Sequence, residues 1–322
     1  MTSRKRVTAA DVARSLGLSR TTVGYVLNDT PGQKIPEATR QRVLEAAQRL
    51  DYRPNQAARA LASGRSRIVL LVLPNWPIDH SMRTHLDEVS STLDRAGYTL
   101  VTTTPHPGAL ARPLWEILTP DIVMGLAGLT PEQRASITAS GARVVAEPAP
   151  NEELLSFSRG PRYQVQHLMA RGYHRIAYAG TPDPRLADLN DHRRSEALLA
   201  AVEAGLTPLA TRDVGSSDAA ATVEAWLDDG VEAVAAYNDD IAGLIASTVL
   251  RLGRRIPEDL AVIGHDDTPW AALFVPSLSS VRVDTPGLGR YLAGLALSAI
   301  EGEEPPVAGP EFNVTAVQRE ST

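Results

Sequence analysis

Residues 7–28, VTAADVARSLGLSRTTVGYVLN, predict two short amphipathic helices joined by a turn at Gly17. Thr8 can cap the first helix, with Asp11 three residues later in the reciprocal position of a capping box. Ser19 can cap the second helix, because a serine hydroxyl accepts a hydrogen bond from a backbone N–H of the first turn. The stretch therefore predicts a helix-turn-helix.

The second predicted helix has two faces of different chemistry. Its apolar side is formed by Val23, Val26 and Leu27. The opposite side carries Arg20, Thr21, Gly24 and Tyr25, and Asn28 is a candidate left-handed stop. A polar face of this kind can enter a DNA major groove. Capped helix pairs also occur in helical bundles that bind no DNA, so the motif alone leaves both interpretations open.

The distribution of charge favours DNA binding. Residues 1–67 contain 13 Lys and Arg against 5 Asp and Glu, whereas the remaining residues contain 19 basic and 33 acidic side chains. The formal net charge of −6 hides this asymmetry. A basic module on an acidic body suits phosphate neutralisation, since contacts of Lys and Arg that release counterions supply most sequence-independent affinity for DNA.

Two more helices are predicted before the acidic body begins. A third helix runs from Pro36, at its first position, to Leu50. Residues 55–64 then predict an Asn-capped, Gly-terminated helix that is too short to persist alone and should order against a partner copy or DNA. Leu61 on that segment can act as an apolar wedge in a minor groove.

These residues resemble the lactose-repressor and galactose-repressor family of bacterial transcription regulators. Segment 7–28 is similar to the family's helix-turn-helix, and its hinge signature is matched by Tyr52, Pro54, Asn55, Ala58, Arg59 and Leu61. The resemblance implies an all-α headpiece over 1–53 and a hinge helix over 54–66. It places Arg20, Thr21 and Thr22 where the family reads bases and phosphates, and Leu61 where the family inserts its hinge leucine. The predicted DNA-binding residues are Thr8, Ser19, Arg20, Thr21, Thr22, Tyr25, Asn28, Tyr52, Asn55, Ala58, Arg59 and Leu61.

The recognition helix departs from the family at one place. The family usually has Ser-Arg after the valine of this helix, and here the pair is Gly24-Tyr25. A tyrosine can donate one hydrogen bond or contact a thymine methyl, but it cannot make the bidentate guanine contact of an arginine. We therefore expect a preferred half-site different from that of Ser-Arg members.

From Ile68 onward, predicted strands alternate with predicted helices, which is typical of parallel α/β layers. The predicted strands are 68–73, 98–104, 122–126, 143–146, 175–180, 231–237, 260–264 and 279–283. The predicted helices are 81–96, a stretch around Leu114, 163–171, 193–205, 217–229, 239–253 and 287–301. The pattern resembles the family's regulatory domain, which implies two periplasmic-binding-protein-like lobes with parallel sheets over 67–322. The N-lobe is predicted over about 67–158 and 286–301, and the C-lobe over about 159–284 and 302–322.

Polar residues that directly follow strands are candidate effector ligands, since ligands of open α/β sheets bind beyond the carboxyl ends of strands. By resemblance, Arg194, Asn238 and Asp266 match family positions that hydrogen-bond sugar hydroxyls or similar polar effectors. A guanidinium fork, an amide and a carboxylate can together satisfy a polyhydroxylated solute. Trp270 can stack on a sugar face, or it can serve only to pack the lobe. Each polar residue also has a plain interpretation as a surface charge, a helix cap or a loop turn.

The N-terminal half of the predicted cleft departs from the family. The first strand is followed by Asn75-Trp76-Pro77-Ile78-Asp79, and residues 156–160 stand where the family usually has an Asp-Asn pair. Two interpretations follow. Either the effector is not an ordinary sugar, or the cleft has lost part of its ligand set and the protein regulates without an effector.

Other classes of function are disfavoured by the sequence. The chain has no cysteine, which excludes disulfides and thiolate chemistry and is compatible with a reducing cytoplasm. No signal peptide or membrane-length apolar run is visible, which argues against a secreted solute-binding protein. No nucleophile elbow, phosphate loop, dinucleotide fingerprint or zinc-protease motif occurs, and the seven histidines lack metal-ligand spacing. Adjacent carboxylates at 239–240 and 266–267 are weak candidates for a divalent ion. We therefore predict no enzyme activity, cofactor or metal.

The sequence thus predicts a cytoplasmic transcriptional regulator that binds double-stranded operator DNA of near-palindromic sequence. The predicted mode of regulation is repression. The predicted assembly is a homodimer, with a tetramer left open, in which paired hinge helices open the minor groove between two half-sites. A small polar effector such as a sugar would change operator affinity through closure of the lobes.

Overall fold

The computed structural model describes residues 7–28, 32–53, 65–106, 108, 110–145, 159–206, 208–306 and 314–322. The chain divides into two compact units, Met1–Arg67 and Ile68–Thr322. We refer to them as the first and second units. None of the described helices is long and apolar enough to cross a membrane.

The described part of the first unit consists of three helices around a small apolar core. They are α1 (Ala9–Leu16), α2 (Arg20–Leu27) and α3 (Glu37–Arg49). Val12, Val23 and Val43, one from each helix, are completely buried together. Pro36 precedes α3 as its N-cap residue, so the prediction that it occupies the first helical position is off by one residue.

The second unit begins with a four-stranded sheet. Its strands are β1 (Ile68–Val72), β2 (Thr99–Thr103), β3 (Ile122–Gly125) and β4 (Arg143–Val144). All pairs are parallel, in the order β2-β1-β3-β4. The helices between these strands are α4 (His80–Arg95), α5 (Leu114–Leu118) and α6 (Pro131–Ala139). We call this sheet and its helices the first lobe.

A six-stranded sheet forms the second lobe. Its strands are β5 (Ile176–Gly180), β6 (Ala210–Asp213), β7 (Ala233–Ala236), β8 (Ala261–His265), β9 (Ser279–Arg282) and β10 (Thr315–Val317). The order is β10-β9-β8-β7-β5-β6, and every pair is parallel except β9 with β10. The helices of this lobe are α7 (Gly160–Ala170), α8 (Ala187–Glu203), preceded by a 3-10 turn at Pro184–Leu186, α9 (Ala219–Asp228) and α10 (Asp239–Arg251).

The helix that follows β9 packs on the first lobe. This helix, α11 (Thr285–Glu301), places Leu292 and Ala293 in the same apolar core as Val89 and Leu93 of α4. The chain therefore passes more than once between the lobes.

The predicted fold class is confirmed for the described residues, with a helical headpiece followed by two α/β lobes. Three elements were not predicted: α6, β6 and β10. The two strands lie at the two edges of the six-stranded sheet, and all four residues of β6 are exposed. An edge strand needs no apolar alternation, so the sequence ATRD carries no strand signal. Helix α8 also begins at Ala187, earlier than the predicted start at residue 193.

Candidate functional site

A hydrogen-bonded cap holds the start of α1 in place. The carboxylate of Asp11 accepts hydrogen bonds from the backbone N–H of Thr8 at 2.9 Å and from its hydroxyl at 2.7 Å. Gly17 ends the helix at φ +65°, a left-handed conformation that favours glycine. The predicted capping pair and the predicted turn are therefore confirmed.

Helix α2 is capped by Ser19, whose Oγ accepts a hydrogen bond from the backbone N–H of Thr22 at 3.0 Å. Ser19 Oγ also lies 2.8 Å from the hydroxyl of Thr22, which fixes that side chain close to the helix start. Asn28 ends the helix at φ −101° and ψ 2°, so the prediction of a left-handed stop is wrong. Its N–H still bonds to the carbonyl of Gly24, and this bond closes the last turn without a left-handed residue.

The outward side of α2 is free to contact another molecule. Arg20 and Thr21 are exposed, Tyr25 is half-buried, and Arg20 forms no ion pair with any residue in the described part of the chain. A Cβ placed on Gly24 would meet nothing within 4 Å, so the surface beside Tyr25 is open. This face offers one unpaired guanidinium, hydroxyl groups and one phenol.

The remaining DNA-binding predictions concern the end of the first unit. Tyr52 is half-buried and packs against the three-helix core. The predicted hinge residues Asn55, Ala58, Arg59 and Leu61 lie outside the described residues.

A cavity of about 370 Å³ lies between the two lobes of the second unit. It is bordered by the segment after β1 and by those after β7 and β8, all at the carboxyl ends of parallel strands. Its lining residues are Asp79, His80, Ser81, Asn238, Asp239, Asp240, Asp266, Thr268, Pro269 and Trp270. Three of the four residues predicted as effector ligands, Asn238, Asp266 and Trp270, therefore face this cavity.

A buried charge pair supports Asp266. One guanidinium nitrogen of Arg193 lies 3.4 Å from Asp266 Oδ1, and another donates to the carbonyl of Tyr237 at 2.6 Å. The guanidinium also stacks 4.6 Å from the centroid of the Tyr237 ring. Burial alone would raise the pKa of Asp266, but the charge of Arg193 and a hydrogen bond to His265 outweigh burial and lower it. Asp266 is therefore a carboxylate at neutral pH.

His265 completes this network from the other side. Its Nδ1 lies 2.6 Å from Asp266 Oδ1, while burial and the nearby charge of Arg193 lower the pKa of the imidazole. The ring is thus neutral at neutral pH, and Nδ1 carries the proton that it donates to the carboxylate. The Arg193–Asp266–His265 network fixes one cavity wall.

The backbone at Asp266 and Asp267 is in an uncommon conformation. Their φ values are +91° and +45°, in a region that non-glycine residues rarely adopt and that costs about 1–3 kcal/mol each. Asp267 is held by Arg282, with Nε at 2.7 Å, and by Arg319 at 2.5 Å. Ion pairs on both carboxylates therefore maintain the turn that aims Asp266 at the cavity.

Asp239 is the most buried carboxylate of the lining and is satisfied by protein donors. Its oxygens accept hydrogen bonds from Ser280 Oγ at 2.6 Å and from the N–H and hydroxyl of Thr268 at 2.6 and 2.7 Å. Burial raises the pKa of Asp239 to about 7 despite these bonds. A Cβ on Gly264 would lie 2.1 Å from Asp239 Oδ1, so only glycine allows this approach.

Arg194, the fourth predicted effector ligand, does not line the cavity. Its guanidinium pairs with Asp191 at 2.9 Å and with Asp213 at 2.5 Å. Consecutive residues of a helix point about 100° apart, so the Arg193-Arg194 pair can direct only one guanidinium toward Asp266. The structure directs Arg193 there.

Arg193, Asp79 and Asp239 were not among the effector ligands predicted from the sequence, and Asp239 was considered only as a candidate metal ligand. Asp79 caps α4 by accepting the N–H of Met82 at 2.8 Å, and it is the last residue of the unusual segment after β1. Its position after a strand was the one available signal. Arg193 carried no signal that separates it from its neighbour, because the choice depends on the rotation of α8 relative to the sheet.

No group of three or more histidine or acidic side chains in the described part of the chain is arranged to hold a metal ion. The adjacent carboxylates at 266–267 point to different partners, Arg193 and Arg319.

Two family models match the chain. Residues 8–55 match the model of bacterial regulatory proteins of the lacI family, and residues 165–322 match a periplasmic binding protein-like domain. The transcriptional regulator CelR of Thermobifida fusca is 31% identical over 330 residues, covering 94% of each chain. The chain belongs to the LacI family. The regulator GntR of Pseudomonas aeruginosa is a further relative, 29% identical over 98% of this chain and 96% of its own.

Solved structures agree with this LacI-family assignment at the level of the fold. The Lac repressor dimer bound to operator and an anti-inducer has a TM-score of 0.80 over 98% of this chain and 99% of its own, at 22% identity. A CelR–cellobiose complex has a TM-score of 0.62 and 25% identity over 98% of this chain and 100% of its own. The relatives are transcriptional regulators, and they confirm the predictions that this LacI-family chain is a DNA-binding regulator and not an enzyme.

Proposed function

We propose that this LacI-family regulator represses transcription by binding a near-palindromic operator as a homodimer, and that a small polar effector in the interlobe cavity changes its operator affinity. The cavity carries the second part of this proposal, since it is lined by both lobes and bordered by the carboxyl ends of strands. Relatives of the same fold support both parts. The Lac repressor structure is a dimer on its operator, and the CelR structure holds cellobiose.

The outward face of α2 is the proposed base-reading surface. Arg20, Thr21, Thr22 and Tyr25 would contact bases and phosphates, with Thr8, Ser19 and Asn28 at the helix ends beside them. Arg20 is exposed and forms no ion pair within the described residues, which supports this assignment because its guanidinium need not leave such a partner to bind DNA. Tyr52 and the hinge residues Asn55, Ala58, Arg59 and Leu61 remain proposed hinge contacts.

The effector would contact Asn238, Asp266 and Trp270 on the second lobe and the segment after β1 on the first lobe. Arg193 is a positioning residue in this proposal, since its guanidinium is occupied by Asp266 and the Tyr237 carbonyl. A ligand that contacts both lobes favours their closed arrangement over an open one. Closure would alter the spacing of the two hinge segments in the dimer and hence operator affinity.

The domain limits predicted from the sequence, 1–53, 54–66 and 67–322, form part of this proposal, as does a cytoplasmic location. The location is supported by membership of a family of DNA-binding regulators.

The operator-reading role is tested by selecting duplexes from a random pool with the full-length protein and measuring affinity by fluorescence anisotropy. Arg20→Ala should weaken binding to the selected operator by about 1–3 kcal/mol and relax preference at one position of each half-site. Tyr25→Arg should change the preferred base. Arg95→Ala, at the end of α4 in the second unit, is the control and should bind as the wild type does. Unchanged base preferences for both α2 variants would exclude this face from base reading.

A further inference from the structure

The interlobe cavity is strongly acidic. Four of its lining residues are aspartates, and no lysine or arginine is among the lining residues that the structure describes. The hydroxyl donors of the lining are engaged, since the Thr268 hydroxyl already donates to Asp239 and the Ser81 hydroxyl lies 3.3 Å from that of Thr285. The side-chain donors left in the lining are the amide of Asn238 and the imidazole of His80. A neutral sugar needs donors as well as acceptors, because its hydroxyls do both. The lining supplies mainly acceptors.

Two of the four aspartates are already compensated by the protein. Asp266 pairs with Arg193 and accepts a hydrogen bond from His265. Asp239 accepts three hydrogen bonds from Ser280 and Thr268. These two carboxylates belong to the framework of the cavity and need no ligand to satisfy them.

The other two aspartates, Asp79 and Asp240, have no countercharge among the described residues. The Asp79 carboxylate accepts the N–H of Met82, and the Asp240 carboxylate accepts a hydrogen bond from the indole N–H of Trp270. Neither aspartate forms an ion pair with a described arginine or lysine. Burial raises the pKa of both carboxyls, and the charge of Asp266 raises it further. The charge of Asp240 also raises the pKa of Asp79, which shows that the two carboxylates repel each other across the cavity. One lies on each lobe, and a cation between them would hold the lobes together.

Trp270 provides an aromatic wall beside these carboxylates. Its ring packs edge-to-face on Phe274, with centroids 6.1 Å apart and an interplanar angle of 65°. It lies so close to Gly243 that a Cβ there would be 2.5 Å from the indole, which confines the ring to its place. Indole rings attract ammonium groups through their quadrupole, and the attraction grows when water is excluded.

We propose that the effector of this regulator is a small organic molecule bearing an ammonium group, bound between Asp79 and Asp240 with Trp270 beside it. This inference rests on the proposed effector role of the cavity. Of the two interpretations left open by the sequence, it selects an effector other than an ordinary neutral sugar. An amino sugar or another hydroxylated amine satisfies both the acceptor-rich lining and the charge.

The experiment compares matched ligands on the full-length protein by calorimetry and thermal shift. The pairs are glucosamine with glucose, galactosamine with galactose, and ethanolamine with ethylene glycol, with N-acetylglucosamine as a neutral amide control and magnesium chloride as a metal control. We expect at least one amine to bind and to raise the melting temperature while its neutral partner does not. Equal binding of amine and neutral partner, stabilisation by magnesium alone, or no binding by any of the amines at millimolar concentration would overturn the proposal.

Two variants locate the charge. Asp79→Asn and Asp240→Asn should each weaken binding of the responding amine by about tenfold or more, since each removes one charge-assisted contact. Both should also raise the melting temperature of the free protein, because they relieve repulsion among the carboxylates. Asp94→Asn is the matched control, an exposed aspartate near the other end of α4. Unchanged amine affinity in both cavity variants would place the amine elsewhere and overturn the assignment.

A second readout separates this inference from the proposed function. Operator affinity is measured with and without each ligand. An amine that binds in the cavity without changing operator affinity would leave the ligand class intact and refute effector control. If only a neutral sugar changes operator affinity, effector control through the cavity is supported and the amine ligand class is refuted.

Discussion

The outward face of α2 and the interlobe cavity are built in opposite ways. The α2 face lies on one side of a single eight-residue helix, which one serine cap and two buried valines hold in place. The cavity draws its lining from segments near residues 79, 238 and 266, and its walls depend on buried charge pairs. The face can therefore be changed without disturbing its scaffold, whereas most changes in the cavity wall also change folding.

In the first unit, the residues proposed to contact DNA contribute little to stability. In the second unit, the residues that form the cavity wall also stabilise the fold. An exposed arginine such as Arg20 contributes to folding only through its helix propensity. Removal of one member of a buried ion pair leaves the partner charged and without water, which is among the most destabilising single changes. Variants should therefore fall into two groups with little overlap.

The largest expected effect is that of Arg193→Ala on the second unit. Loss of the guanidinium leaves Asp266 buried without its countercharge, and we expect a loss of about 3–5 kcal/mol in the free energy of unfolding. Urea unfolding followed by tryptophan fluorescence measures this, since Trp76, Trp115, Trp226 and Trp270 all lie in the second unit.

The matched control for this change is Arg194→Ala. Its ion pairs, to Asp191 and Asp213, are partly exposed, and we expect a loss of about 1 kcal/mol. Equal losses for the two variants would show that the buried pair does not dominate the cavity wall, and the contrast between the two regions would fail.

A pH dependence is the next largest effect. The folded pKa of Asp239 is about 7 and its ordinary value 3.8, so the folded state binds one more proton than the unfolded state between these values. The contribution of this group to stability is complete below the ordinary value and is lost as pH rises through 7. Between pH 5 and 7 the loss is about 2 kcal/mol, and above pH 7 it changes little.

Asp239→Asn should remove the pH-dependent loss of stability, because an asparagine does not ionise. The difference in unfolding free energy between wild type and variant should therefore change from pH 5 to pH 7 by the loss expected for Asp239. The exposed Asp228→Asn serves as the control and should follow the wild type at each pH. A constant difference between wild type and Asp239→Asn across that range would mean that Asp239 is ionised throughout.

The smallest effect belongs to the first unit. Ser19→Ala removes the side-chain cap of α2 and should cost about 1 kcal/mol of local stability. Hydrogen exchange at the amide of Thr22 should become faster, because this N–H loses its acceptor. The tryptophan-detected unfolding of the second unit should not change. A shift in that transition would contradict the independence of the two regions.

The prediction from sequence was most complete where the determinants are local. A threonine with an aspartate three residues later, a glycine at the turn and a serine before the second helix identified α1 and α2 with their caps. Neighbouring residues form these hydrogen bonds, so the order of side chains along the chain is sufficient. The stop at Asn28 was the exception, since a helix can end without a left-handed residue.

For the cavity, the sequence identified the strand ends but not the full set of side chains. Asn238, Asp266 and Trp270 were selected because they follow strands, and they do line the cavity. Asp79 was noted only as part of an unusual segment. Arg194 was selected from the sequence, whereas the structure directs Arg193 toward Asp266. The two residues are adjacent, and only the rotation of α8 decides which of them faces Asp266.

The sequence by itself determined the helix-turn-helix, the alternation of strands and helices, and the contrast between a basic front and an acidic body. These properties depend on periodicity, capping and composition, which are local or additive. The tertiary structure alone decided which arginine supports Asp266 and which aspartates of the cavity lack a countercharge among the described residues. Both depend on the rotation of helices and the approach of segments distant in the chain, and the energy of a buried charge is set by whatever lies within a few ångströms of it.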